Sequence, residues 1–281
     1  MAPPTETSTE ECQNCEGNPE PRECVNGERV HPTVTRAHIK NNNLRPGEHK
    51  AMDLVTAFSD VLKEPKVDTP RKRRRMALFR WRKNRQQLKG SLNKTKTPSD
   101  KPLADLYTIL DDVFFLGTLR DVPINWVPDL KSDTGDRLLA YTRFKSDTHF
   151  VTIELDPNAS DESIAKKFGK ISRFQYTVNA CLHEMVHAMF FRYSCYKACS
   201  CKGTKCCDQT IEDIGPTGHG RAWQLLSKAV EDAGKEILGF DVDLARKFSY
   251  KWEVEHNGVH LSEEDTARVF PGERYPFIPS G

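Results

Sequence analysis

Two histidines four residues apart, with a glutamate directly after the first, constrain this chain more than any other stretch: His183-Glu184-Met185-Val186-His187. On a helix, residues i and i+4 stack on one face, so His183 and His187 can hold one metal ion together. Glu184 lies about 100° around the helix, at the rim of that face, within reach of a water on the metal. This is the HExxH arrangement used by zinc metallopeptidases. There zinc lowers the pKa of its bound water, and the glutamate takes the proton as the water attacks a carbonyl.

Five letters with three fixed recur by chance, so the surroundings have to decide. From about Ser172 to Tyr193 the chain has no Gly or Pro, and Phe174, Val178, Cys181, Leu182, Met185 and Met189 fall at helical spacing. The motif therefore sits on a buried helix. The competing reading is a core helix with two satisfied histidines. A catalytic zinc also needs a third protein ligand and an open fourth position. Ala188, Met189, Phe190, Phe191, Arg192 and Tyr193 follow the motif, which excludes the metzincin continuation. The next histidine is His219, in Gly215-Pro216-Thr217-Gly218-His219-Gly220. Its flanking glycines allow a sharp turn, and a helix is expected from about Arg221 to Ala233, with Trp223, Leu225, Leu226 and Val230 on its core side. Glu212, Asp213 and Asp208 are rival third ligands, and an exposed loop histidine is the bland alternative for His219.

Beyond this motif, the chain resembles the SprT-like family of zinc metalloproteases. Leu103–Leu119 reads LADLYTILDDVFFLGTL, similar to the family's first helix and its Phe-Phe-x-Gly-x-Leu ending. Ile124-Asn125-Trp126, Leu138–Tyr141 and Val151–Leu155 are similar to its strands, and His183–Ala188 and Gly218-His219-Gly220 to its two metal-binding elements. The resemblance covers roughly residues 100–235. It implies an α+β, zincin-like SprT-type domain with a small sheet and an HExxH active-site helix. It also implies Zn2+ held by His183, His187 and His219, with Glu184 as the catalytic general base. The bacterial members' C-terminal zinc ribbon has no counterpart, since no cysteine follows Cys207.

Around that domain the composition suggests disordered extensions. The mean hydropathy is low and hydrophobic residues make up 37%, so a good part of the 281 residues is expected to be unpacked. Residues 1–46 are polar and expected to be disordered. Residues 47–65 form an amphipathic helix, with Met52, Val55, Phe58, Val61 and Leu62 at helical spacing. Residues 66–100 are a basic linker, and residues 101–254 the SprT-like domain, with a Cys-rich insertion at 195–207. Strands are expected near 124–129, 138–144 and 149–155, and one more packed segment over 240–254 with Phe248, Tyr250 and Trp252. Residues 255–281 are a flexible C-terminal tail.

The overall charge is only +2, yet Arg71–Lys89 concentrates basic residues, with no acid from Arg71 to Pro98 and with Phe79 and Trp81 among them. Such a run neutralises phosphates, and aromatic rings stack on bases. The expected partners are thus a protein substrate and DNA, contacted through Arg71–Lys89. The run also matches a nuclear localisation signal, with a solvated linker and cytoplasmic location as the alternative.

No apolar N-terminal run or membrane-spanning stretch is seen, which points to a reducing compartment. The cluster Cys195, Cys199, Cys201, Cys206 and Cys207 then offers a second zinc site or reduced thiols ahead of disulfides. Cys12, Cys15, Cys24 and His31 offer a minimal zinc knuckle, against plain disorder. Tyr193, Arg221 and Tyr250 are candidate second donors to an oxyanion. Two other functions compete with proteolysis: a non-catalytic nucleic-acid-binding or scaffold protein with a zinc-stabilised core, and another zinc hydrolase such as an amidase. A purely structural site needs no carboxylate at Glu184, so that residue favours catalysis.

Overall fold

Ser172 starts the motif helix with a reciprocal cap. Its hydroxyl accepts from the Gln175 amide, and the Gln175 side chain accepts from the Ser172 amide. The helix runs over Arg173–Tyr193 and ends as the backbone turns extended at Ser194. In the computed structural model the described residues are 24–25, 28–29, 31–63, 72–93, 99–132, 135–145, 148, 150–195, 209 and 212–272. In chain order the elements are β1 (Cys24–Val25), β2 (Glu28–Arg29), α1 (Arg36–Lys40), α2 (Ala51–Lys63), α3 (Lys72–Leu92), α4 (Asp100–Leu110), β3 (Ile124–Trp126), β4 (Ala140–Lys145), β5 (Phe150–Leu155), α5 (Asp161–Phe168), α6 (Arg173–Tyr193), α7 (Arg221–Leu238), α8 (Arg246–Asn257) and α9 (Glu263–Val269).

The fold is α+β, dominated by helices, with a small three-stranded sheet and a separate two-stranded β1–β2 pair. The three larger strands lie in the order β3-β5-β4, with β3 parallel and β4 antiparallel to the central β5. Along β5, Val151, Ile153 and Leu155 are buried while Phe150 is exposed, the alternation a half-buried strand requires. Helix α6 packs on the sheet and is buried nearly all round, so the motif is embedded in the core. Helix α4 runs into a wide π-type turn at Asp111–Phe115 and stops at Leu116, whose φ of 59° is left-handed. The expected strands, the motif helix and the helix after His219 all form.

Three stretches differ from the sequence reading. The first is the basic linker. Residues 72–92 form a 21-residue helix whose Ala77, Trp81, Leu88 and Leu92 are buried. Trp81, only 2% exposed, stacks on Phe174 at the start of α6 with ring centroids 6.0 Å apart. The Asn93 side chain accepts from the Phe174 amide at 2.9 Å. The inward cations have partners: Arg74 donates to the Val61 carbonyl, and Arg80 and Arg120 pair with Asp112. Arg73 donates to the Leu116 carbonyl. Charge density hid a widely spaced apolar stripe, whose paired acids lie more than twenty residues downstream.

The second stretch is the N-terminal extension. Within 31–46, Val34, Ile39 and Leu44 are buried, and α1, capped by Thr35, packs on α2. Residues 47–49 then run beside the end of α6: Gly47 N donates to Arg192 O, and His49 N to Tyr193 O.

The third is the C-terminal tail, which continues as α9 and buries Val269 and Phe270. The Phe270 ring lies against Tyr250, and Arg246 donates to the Val269 carbonyl. On α8, Tyr250 points inward while Phe248 and Trp252 are exposed. Tyr275 and Phe277 lie outside the described residues.

Candidate metal centre

The two motif histidines meet His219 at one point. His183 Nε2 and His187 Nε2 are 3.3 Å apart, His187 Nε2 and His219 Nε2 3.0 Å, and His219 Nε2 and His183 Nε2 3.1 Å. Among the described residues, these three form the only group of His, Cys, Asp or Glu side chains gathered closely enough to hold a metal ion. Helix α6 supplies the first two ligands by its i, i+4 spacing, and the turn before α7 supplies the third.

That turn depends on its glycines. Gly218 has φ +87°, and a Cβ there would stand 2.9 Å from His187 Nδ1. A Cβ at Gly220 would stand 2.7 Å from backbone atoms of Ile214 and Gly215. Trp223 follows in the first turn of α7 and lies against all three imidazoles, with ring centroids 4.8 Å from His183, 5.4 Å from His187 and 4.8 Å from His219. Phe191 stacks on the His187 ring.

The donor set fits a metal. His183 Nδ1 is 2.8 Å from the Leu244 carbonyl, which can only accept, so Nδ1 carries the proton and Nε2 presents its lone pair inward. Burial, aided by the Lys167 charge, holds the His183 pKa well below the usual imidazole range. The same two causes lower His187 to about 3, and burial, then His187, lowers His219. The imidazoles are neutral, as metal ligation requires.

Glu184 is buried beside them. Its Oε2 accepts from Thr142 Oγ1 at 2.7 Å, and its Oε1 lies 3.9 Å from His183 Nε2. Burial raises its pKa to about 7, against the lowering effects of Lys167 and of Thr142.

Compared with known proteins, the chain matches no family model, no curated protein and no solved structure.

The rival ligands are elsewhere. Asp213 pairs with Gln209 and Arg221, Glu212 is exposed, and Asp208 lies outside the described residues. Two of the three candidate oxyanion donors, Tyr193 and Arg221, give their protons to other partners, whereas Tyr250 is seen as an acceptor. Tyr193 donates to the Thr118 carbonyl, Arg221 pairs with Asp265, and Tyr250 accepts from the Leu261 amide. The cation whose charge acts on Glu184 is the half-buried Lys167, at the end of α5, whose own pKa burial lowers and Glu184 raises. The sequence reading passed over it, because nothing in a short polar helix upstream of the motif marks one lysine as coupled to the motif carboxylate. Glu253 was also missed. It is fully buried on α8, and its Oε1 accepts from the Thr217 amide, the Thr217 hydroxyl and the His219 amide. Only the tertiary contact between α8 and the glycine turn reveals that role.

Of the cysteine insertion, Cys195 is buried, while Cys199, Cys201, Cys206 and Cys207 lie outside the described residues. Cys12 and Cys15 of the suggested knuckle do too. His31 Nδ1 bonds to the Glu48 carbonyl oxygen.

Proposed function

We propose that the chain is a zinc-dependent metalloendopeptidase of the SprT-like type, with a zincin-like core. The observation that carries this reading is the convergence of three imidazole Nε2 atoms beside a buried carboxylate that is not itself a ligand. Three neutral nitrogen donors suit zinc among the common divalent ions and leave a coordination position open. Zinc held by His183, His187 and His219 would supply Lewis acidity and an acidified water. Glu184 Oε1, which Thr142 leaves available, takes the proton of the attacking water and passes it to the departing amine. Thr142 holds the other oxygen, which fixes the carboxylate's orientation. The Lys167 charge favours the ionised form of Glu184 against the effect of burial.

Substrate access has a natural route. Strand β4, which carries Thr142, pairs on one side only among the described residues, with β5. An extended polypeptide laid along its open edge would pass Glu184 and pair with the main chain. A purely structural zinc would leave Glu184 with no task, so the scaffold reading takes second place.

Association with DNA is a second part of the proposal, supported by the outer face of α3. Lys72, Arg75, Arg82, Lys83 and Lys89 are exposed there, together with Phe79 at 58% and Met76 at 47%. Phosphates and bases suit that mixture. Nuclear location is the matching expectation. The experiment on the main reading is chelation and reloading: the purified chain should hydrolyse an unfolded protein substrate, lose activity with a zinc chelator and regain it with added zinc. Activity that survives full removal of the metal would overturn it.

A further inference from the structure

His219 is oriented by a chain of groups that starts on α8. The Glu253 Oε1 atom receives the Thr217 amide at 3.1 Å and the His219 amide at 3.0 Å, so it acts as an acceptor. The Thr217 hydroxyl donates to the same oxygen at 2.6 Å. That hydroxyl has one proton, and the carboxylate takes it. The Thr217 oxygen also lies 3.0 Å from His219 Nδ1, and can contribute only a lone pair to that contact. Nδ1 must therefore carry the His219 proton, and Nε2 faces the centre with its lone pair exposed.

His183 is fixed in the same tautomer by the Leu244 carbonyl. Two unprotonated Nε2 atoms then stand 3.1 Å apart with no hydrogen between them. Lone pairs so close repel unless a cation lies among them. The far end of the relay is braced: Asn257 Nδ2 donates to Glu253 Oε2 at 2.8 Å, and a Cβ at Gly215, where φ is +81°, would stand 2.7 Å from Glu253 Oε1. Gln224 adds a bond to the His219 carbonyl at 3.2 Å.

We propose that Glu253 and Thr217 form a positioning relay, Glu253–Thr217–His219, which holds the third ligand in its Nδ1–H tautomer and thereby sets metal affinity. It rests on the metal reading of the three histidines and extends it to Thr217, two positions before His219, and to Glu253, 34 positions after it. Carboxylates that hydrogen-bond ligating histidines directly are common; here a hydroxyl is interposed, so an exposed threonine becomes part of the metal site. The relay also makes α8 a condition of tight binding, although α8 contributes no ligand.

The test measures zinc affinity of the full chain by competition with a chromophoric chelator. Thr217→Val keeps shape and removes the hydroxyl at an exposed position, so the fold is not at risk. It should weaken zinc binding by about 10- to 100-fold, the range seen when such supporting groups are removed. Thr217→Ser should restore wild-type affinity. Glu253→Gln should weaken binding comparably, and the double variant should be no weaker than the worse single one, because the relay is already broken. Nitrogen-15 NMR of the zinc-free protein supplies an independent readout: His219 should be the Nδ1–H tautomer in wild type and Thr217→Ser, and a mixture in Thr217→Val. Unchanged affinity and unchanged tautomer in Thr217→Val, or fully additive losses, would overturn the relay. A wild-type protein that takes up no zinc would instead sink the proposed function, while the tautomer measurement would still decide this inference.

Discussion

Thr142 Oγ1 donates to Glu184 Oε2 at 2.7 Å, and so ties the edge strand of the sheet to the carboxylate of the motif helix. The same hydroxyl oxygen lies 3.0 Å from the Glu184 carbonyl. One side chain on β4 thus sets both the position and the acidity of the group proposed to move the proton. A bond to the charged form favours it, which is why Thr142 lowers the Glu184 pKa while burial raises it to about 7.

The pH profile should expose this balance. Glu184 must be ionised to act as a base, so activity should fall on the acid side as the carboxylate takes a proton; burial raises that midpoint, to about 7 without metal. Bound metal adds positive charge and lowers this midpoint in every variant alike. Thr142→Val deletes the bond to the charged form, and should move the acid limb of kcat/KM up by about one pH unit, equivalent to ~1.4 kcal/mol. Lys167→Met removes an ammonium that lowers the same pKa, and should move the limb in the same direction. A downward shift in either variant would contradict the electrostatics described for the site.

Helix α3 should behave as core, not linker. Trp81→Ala removes a buried indole that stacks on Phe174 and should destabilise the fold by about 3–5 kcal/mol, measured by urea denaturation. Phe79→Ala, on the outer face of the same helix, should change stability by less than ~0.5 kcal/mol. Equal, small effects at the two positions would mean that the helix is not packed as described.

The sequence disclosed most of the candidate metal site and less of its frame. His183, His187 and Glu184 were legible because helical spacing puts them on a common face. His219 was legible because glycines bracket it ahead of an apolar helix. The strands could be read from alternation, as in Val151, Ile153 and Leu155. Helix α3 was obscured, since its Ala77, Trp81, Leu88 and Leu92 are thinly spread among cations, of which Arg73 and Arg80 find Asp112 only after folding. Val34, Ile39, Val269 and Phe270 were hidden for a similar reason: single apolar residues in polar stretches carry no periodicity. Thr142 and Glu253 act through contacts across 42 and 36 residues, and Lys167 through its charge, and no local pattern encodes such relations.

The outward cations give a quantitative expectation for DNA. Arg73, Arg74 and Arg80 bond within the fold and Arg85 lies over the Trp81 and Phe240 rings, which among the described residues of the run leaves Lys72, Arg75, Arg82, Lys83 and Lys89 for phosphates. Five contacts imply a log–log salt slope near about −4.5 on duplex DNA. Replacing Arg75, Arg82 and Lys83 with Gln should flatten it to about −2 without changing stability. A slope that does not move would reduce this face to a solvated surface.

The most direct measurement compares wild type with Glu184→Gln for two quantities in one preparation: zinc per chain and hydrolysis of an unfolded protein substrate. Both proteins should hold one zinc, because the proposed ligands are the three histidines and not Glu184. Only the wild type should cleave, with the variant slower by at least about 100-fold, the scale of a lost general base. A Glu184→Gln protein that cleaves at the wild-type rate, or a wild type that binds no zinc, would contradict the proposed chemistry.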